Sequence, residues 1–190
     1  MRIIDLRPDN QAAIRQAANL LVEGFKEHWP NAWPNMEAAL AEVRESLQSH
    51  RISRIAVDDD EVVLGWIGAI CEYDGHAWEL HPLVVHLDHQ GKGIGRALVA
   101  DLEGLVRERG GITLYLGTDD EDNMTTLGDA DLYPDVTKHI AHVKNLRRHP
   151  YEFYQKLGFV IVGVIPDANG LGKPDIIMAK RVSLKGAGHP

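Results

Sequence analysis

At 190 residues, 44% hydrophobic and 25% charged, the chain has the size and composition of one domain that buries its own core. A formal net charge of −8 argues against a general nucleic-acid binder, and no apolar run approaches the roughly 20 residues of a membrane span. A single cysteine, Cys71, excludes an internal disulfide framework, and Met1 to Asp5 carries no signal-peptide pattern, so a cytoplasmic protein is expected.

In chain order, Arg2 to Leu6 reads as a first strand. Asp9 reads as a helix cap, and Ala12 to Phe25 has apolar residues at helical spacing. His28 to Pro34 is a loop with two tryptophans, Trp29 and Trp33, and Met36 to Leu47 is a second helix. Ser53 to Val57 and Val62 to Ile70 read as strands joined at an Asp58-Asp59-Asp60 turn, followed by a strand from Trp78 to His86. Leu98 to Arg109 is a helix ended by Gly110-Gly111, and Ile112 to Leu116 is a strand. A long polar stretch, Gly117 to Pro150, follows, and its second half (Val136 to Leu146) has helical character. Tyr151 to Leu157 is a short helix stopped by Gly158, Phe159 to Ile165 and Ile176 to Ala179 are strands, and the tail from Ser183 to Pro190 is expected to fray. The boundaries imply one domain over residues 1–182 and a tail over 183–190. A run of antiparallel strands before one glycine-loop helix is not the βαβαβ order of a dinucleotide fold.

Between the strand ending at Leu83-Val84-Val85 and the helix lies Gln90-Gly91-Lys92-Gly93-Ile94-Gly95-Arg96-Ala97. A glycine-rich turn there points backbone N–H groups outward at the positive end of the helix dipole, which suits a phosphate. Glycine allows the close approach, and Lys92 and Arg96 add positive charge. A dinucleotide fingerprint fits poorly, because Arg96 stands where the last small residue belongs. A phosphate loop of the Gly-Lys-Ser/Thr type is absent, and a purely structural turn remains the plain alternative.

Other features carry less. His76, His81, His86 and His89 are numerous, but nothing in their spacing fixes a tetrahedral metal site, and no metal is expected. Cys71 lies in an apolar strand and reads as a packing residue rather than a nucleophile. Asp58-Asp59-Asp60 reads as turn chemistry.

Gln90-x-x-Gly93-x-Gly95 after Leu83-Val84-Val85 resembles the acetyl-CoA pyrophosphate loop of the GCN5-related N-acetyltransferases. Phe153-Tyr154-Gln155-Lys156-Leu157-Gly158-Phe159 resembles a second signature of that superfamily. The segments Trp78 to Val85, Tyr115 to Asp120, His149 to Tyr154 and Lys173 to Ile176 are similar to the homodimeric aminoglycoside 6'-N-acetyltransferases. The resemblance implies an α/β (α+β) fold with a mixed, largely antiparallel central sheet flanked by helices. It also implies a homodimer, acetyl-CoA as cosubstrate, an aminoglycoside as acceptor, and antibiotic resistance as consequence. Acetylation of a protein or polyamine amine, or a non-catalytic acetyl-CoA-binding module, are the alternatives.

Acetyl transfer needs a deprotonated amine, a stabilised carbonyl oxygen and a protonated leaving thiol. Residues two apart on a strand share a face, so Glu79, His81 and Leu83 line one face if the strand is regular there. Glu79 is the candidate base or ammonium anchor, and His81 the candidate orienting group or proton relay. The resemblance implies that the Leu83 N–H faces the thioester oxygen and that backbone groups of Leu83, Val84 and Val85 pair with pantetheine. The cofactor residues are then Leu83, Val84, Val85, Gln90, Gly91, Lys92, Gly93, Ile94, Gly95 and Arg96. Tyr154 is the candidate acid for the leaving thiolate, since phenol (about 10) and thiol (about 8.5) are near in pKa. Asp119 and Asp120, at a strand end, are candidates to hold a polycation, with Trp29 as a wall of the acceptor pocket and Trp33 as a second wall, or both as cover for the core or a dimer face.

Overall fold

The computed structural model describes residues 1–183. Of the expected tail, residues 184–190 lie outside the described residues. The chain divides into two compact units, residues 1–114 with Val182 and Ser183, and Tyr115–Arg181.

In the first unit, strands β1 (Arg2–Asp5), β2 (Arg51–Val57), β3 (Val63–Glu72) and β4 (Ala77–Val85) pair antiparallel in that order. Helices α1 (Gln11–Phe25) and α2 (Met36–Glu45) precede β2, and α3 (Ile94–Glu108) follows β4. Ile14, Ala17, Leu21, Ala39 and Val43 of the first two helices share a buried cluster with Ile55, Trp66 and Val84. The opposite face meets α3: a Cβ on Gly65 would lie 3.1 Å from Leu98 and 3.3 Å from Ile94. Covering on both faces explains why β2 and β3 read as nearly continuous apolar runs rather than alternating ones. Trp66 donates its indole N–H to Ser53 Oγ at 2.9 Å, Ser53 Oγ meets Ser46 Oγ at 2.9 Å, and Ser46 donates to Val43 O at 2.7 Å. This satisfied buried chain ties the C-terminal end of α2 to the sheet.

The second unit carries β5 (Thr113–Asp119, beginning in the first unit), α4 (Val136–Ala141), α5 (Tyr151–Lys156), β6 (Val160–Ile165) and β7 (Asp175–Arg181). Its strands run in the order β5-β7-β6, with β6 antiparallel to β7. The long polar stretch is folded rather than loose. Leu127 and Leu132 are buried, Thr125 bridges Asn145, and the N–H groups of Leu146 and Arg147 donate to Met124 O.

Element order follows the sequence reading closely, and the differences are local. Asn10, not Asp9, caps α1, accepting the Ala13 N–H at 3.0 Å. Helix α3 starts at Ile94 rather than Leu98, so the glycine turn supplies its first turn. Helix α4 stops at Ala141 because the chain turns back to pair with the 124–126 segment. Cys71 is half-buried rather than interior.

Candidate active site

Strand β4 alternates in burial: Trp78, Leu80, Pro82 and Val84 are buried, while Ala77, Glu79, His81, Leu83 and Val85 are half-buried. Glu79 and His81 share one face, but the extra residue at the bulge turns Leu83, opposite Ile67, to the other face with Leu80, which corrects the regular alternation expected. The pairing with β3 slips here, from Ile67 opposite Leu83 to Ala69 opposite Leu80, so His81 and Pro82 face Gly68 alone. The His81–Pro82 peptide is cis. A Cβ on Gly68 would stand 2.4 Å from the His81 carbonyl oxygen, so only glycine lets the bulged strand come this close.

Above that bulge lies the segment between α1 and α2. Phe25 packs against Trp29 at 5.7 Å and against Trp33 at 4.6 Å between ring centroids. The Trp33 ring is 5.9 Å from the His81 ring, so this tryptophan reaches the candidate acceptor face. From α2, Glu42 Oε1 comes within 3.8 Å of His81 Nε2.

Past β4 the chain makes a short 3-10 turn, Leu87–His89, and enters the glycine segment. Gly91 and Gly93 have φ of +73° and +87°, and neither has a neighbour within 4 Å of a built Cβ. Glycine is needed there for the left-handed backbone, while the space around it stays open. Gly93 caps α3 with no side-chain hydrogen bond and no acidic residue in the first turn. The first N–H groups of this 15-residue helix thus keep their donors and their dipole for an outside anion. Lys92 and Arg96 are exposed, and neither has an ion-pair partner among the described residues. Gln90 is exposed and donates from Nε2 to Val85 O at 3.4 Å. These features fit a diphosphate ligand.

The second unit holds the remaining candidates. Tyr154, in α5, is 8% exposed, with its ring against Phe153 and Phe159. Burial pushes its phenol well above the ordinary range. Asp119 is half-buried at the end of β5 and accepts a hydrogen bond from Asn169.

Asp120 departs from expectation. It is fully buried, and its carboxylate accepts from Met124 N at 2.6 Å, Thr125 N at 2.9 Å and Thr125 Oγ1 at 2.7 Å. A carboxylate so enclosed anchors the turn that follows and is not presented to an acceptor, which corrects its expected role in substrate binding.

Residues 14–128 match the Acetyltransferase (GNAT) family. The chain belongs to the GNAT family. The matched span includes the bulged β4, the glycine turn and α3, and stops short of Tyr154. Among solved structures, an aminoglycoside 6'-N-acetyltransferase complexed with coenzyme A is 45% identical, with 97% of this chain and 99% of that chain covered and a TM-score of 0.88. The aminoglycoside 6'-N-acetyltransferase from Enterococcus faecium is also 45% identical over the same shares, with a TM-score of 0.86. An aminoglycoside 6'-acetyltransferase type Ii is 39% identical over 97% and 99%, with a TM-score of 0.72. No curated protein sequence matches the chain.

The GNAT fold, a mixed α/β fold with largely antiparallel strands, is what the resemblance implied. In this GNAT chain the first unit brings together Trp33, His81 and Glu42, with Glu79 two residues from His81 on the same strand face. Val84 offers only its backbone, since its side chain is buried in the core and would touch a Cβ on Gly24 at 2.6 Å. Among the described residues, no three His, Cys, Asp or Glu side chains are grouped to hold a metal ion.

Two residues escaped the sequence reading. Glu42 lies in a helix whose periodicity marks it only as a boundary position. His149 is 1% exposed; its Nδ1 accepts the Tyr151 N–H at 3.2 Å and its Nε2 lies 3.0 Å from Asp119 O. Nε2 therefore carries the proton and donates, and the ring braces the end of β5 against the start of α5. The motif His149-Pro150-Tyr151 was visible, but its partner was 30 residues away.

Proposed function

We propose that the chain is an aminoglycoside 6'-N-acetyltransferase that transfers acetyl directly from acetyl-CoA to the 6'-amine in a ternary complex. The observation that carries this reading is the 45% identity, over 97% of the chain, to an aminoglycoside 6'-N-acetyltransferase complexed with coenzyme A. The open left-handed glycine turn supports it independently of that likeness.

Acetyl-CoA supplies an electrophilic thioester. The N–H groups around Gly91, Gly93 and the first turn of α3 bind the diphosphate, with Lys92 and Arg96 adding charge, while Leu83, Val84 and Val85 contribute backbone groups. Glu79 receives the ammonium of the acceptor and takes its proton, directly or through water. His81 orients the same group, with Trp33 and Trp29 as aromatic walls. The Leu83 N–H steadies the developing oxyanion. Asp119 is the remaining acidic candidate for a distant ammonium group. Tyr154, held neutral by burial, acts better as a hydrogen-bond donor to the leaving sulfur than as an acid that surrenders its proton fully.

A homodimer is part of this reading. It is supported by β6, which among the described residues lies at the edge of the sheet beside β7 and exposes Val160, Val162 and Ile165. Light scattering at two concentrations tests it, and a monomer at both refutes it. A cytoplasmic location fits a reaction that consumes acetyl-CoA, and aminoglycoside resistance is the expected consequence of expression.

The decisive experiment is an acceptor panel with thiol release followed and the acetylated nitrogen assigned by NMR. Turnover on kanamycin-type amines with 6'-N-acetyl product is expected. Turnover on peptides or polyamines but not on these amines overturns the substrate. Tight acetyl-CoA binding with no product from any acceptor overturns catalysis itself.

A further inference from the structure

We propose that Glu42 is a positioning residue for His81. Its carboxylate accepts the His81 Nε2–H, which leaves Nδ1 as the hydrogen-bond acceptor offered to the incoming amine or its water. The inference rests on the reading of His81 as an acceptor-site residue.

Glu42 Oε1 is buried and has no hydrogen-bond partner. It stands 3.8 Å from His81 Nε2 and 3.8 Å from Arg51 Nη1. Both gaps exceed the about 2.7–2.9 Å of a charge-assisted N–H···O bond. A buried carboxylate oxygen without a donor is unfavourable, so one neighbour must close on it.

Arg51 is the poorer candidate to move. Its side chain is only 11% exposed and its Nη2 is held by Glu45, so the guanidinium has little room to shift even though its Nε is buried without a hydrogen-bond partner. Helix α2 is equally fixed, since Ser46 and Val43 belong to the buried chain that ends on Trp66. The His81 side chain is 41% exposed and lies at the bulge of β4, against the Trp33 ring. A swing of about 1 Å brings its Nε2 into hydrogen-bond range of Glu42.

A carboxylate only accepts, so the nitrogen that meets it must carry hydrogen, and in a neutral ring the other nitrogen is then the acceptor. Arg51 supplies the counter-charge that keeps Glu42 in place. The result is a line of Arg51 on β2, Glu42 on α2 and His81 on β4, with Glu79 beside His81 on the open face. No single segment of sequence contains it.

Two measurements test this. Ring ¹⁵N spectra of the ligand-free wild-type protein at about pH 8, where a typical imidazole is neutral, need no acceptor. The His81 signals, assigned by their loss in His81→Ala, are expected to show the Nε2–H tautomer, and the Nδ1–H tautomer overturns the proposal. The second is a kinetic cycle with whichever amine the acceptor panel identifies. Glu42→Gln is expected to lower kcat about tenfold or more and leave the KM for acetyl-CoA within about twofold. In the His81→Ala background the same change is expected to cost nothing further. Losses that multiply show that Glu42 acts apart from His81 and overturn the proposal. If Glu42→Gln does not fold, Glu42→Asp takes its place in the cycle. Absence of any acetylated acceptor refutes the proposed function, while the tautomer still decides the role of Glu42.

Discussion

Replacing Asp120 by asparagine separates an acceptor ligand from an internal clamp. The two oxygens of Asp120 accept three hydrogen bonds, one from Met124 N and two from Thr125. Asparagine keeps the shape but has one accepting oxygen. Its best orientation keeps that oxygen on Thr125 and turns the amide NH₂ toward the Met124 N–H, so two donors face each other. Met124 and Thr125 are 4% and 1% exposed, so water does not repair the loss. One hydrogen bond to a charged group is worth about 1.5–3 kcal/mol, and the stranded donor raises the cost toward about 2–3 kcal/mol. For a chain of this length, that lowers the melting temperature by about 4–12 °C. Thermal and urea unfolding followed by circular dichroism measure it, alongside the KM for a cationic acceptor. Asp119→Asn, at a half-buried carboxylate that accepts from Asn169, is expected to change the acceptor KM more than the melting temperature. A melting temperature for Asp120→Asn within about 1 °C of wild type, with a large rise in acceptor KM, refutes the clamp.

Burial holds the pKa of His149 below its ordinary value, against the opposing pull of the Asp119 carbonyl and the charges of Asp120 and Asp119. Below about pH 6.5 the unfolded chain takes a proton that the folded His149 resists, so stability falls with pH there by up to about 1.4 kcal/mol per unit. The slope is expected to flatten in His149→Gln; an unchanged slope in melting temperature between about pH 5 and 7 refutes the assignment. Gly93→Ala forces a side chain into a left-handed backbone, a strain of about 1–3 kcal/mol, and is expected to weaken CoA binding about tenfold by calorimetry, with equal affinity as the refuting result. Gly68→Ala drives a methyl into the His81 carbonyl oxygen, and the expected loss of turnover exceeds the loss of CoA affinity, because the displaced strand carries His81 and Leu83. Tyr154→Phe is expected to cut turnover about tenfold or more and leave acetyl-CoA affinity unchanged; an unaltered rate removes its role at the leaving sulfur.

The parts of the site that were legible in the sequence are those set by local rules. The two-residue period put Glu79 and His81 on one face of β4, but no local pattern records the extra residue opposite Gly68 that turns Leu83 to the other face. The glycine turn could be read because only glycine tolerates the left-handed backbone at positions 91 and 93. Asp120 was misjudged for an equally physical reason. An acidic residue after a strand looks the same in sequence whether it meets a ligand or the N–H groups of residues 124 and 125.

The sequence by itself determined the element order, the glycine-capped α3 and the chemical type of its ligand, because backbone geometry and hydrophobic periodicity act over a few neighbouring residues. Tertiary structure alone decided which side chains converge. Glu42 and Trp33 reach His81 only because α1 and α2 pack across β4, and His149 reaches Asp119 only because the 120–147 segment folds back on itself. Such contacts depend on packing between distant segments, which no local pattern records.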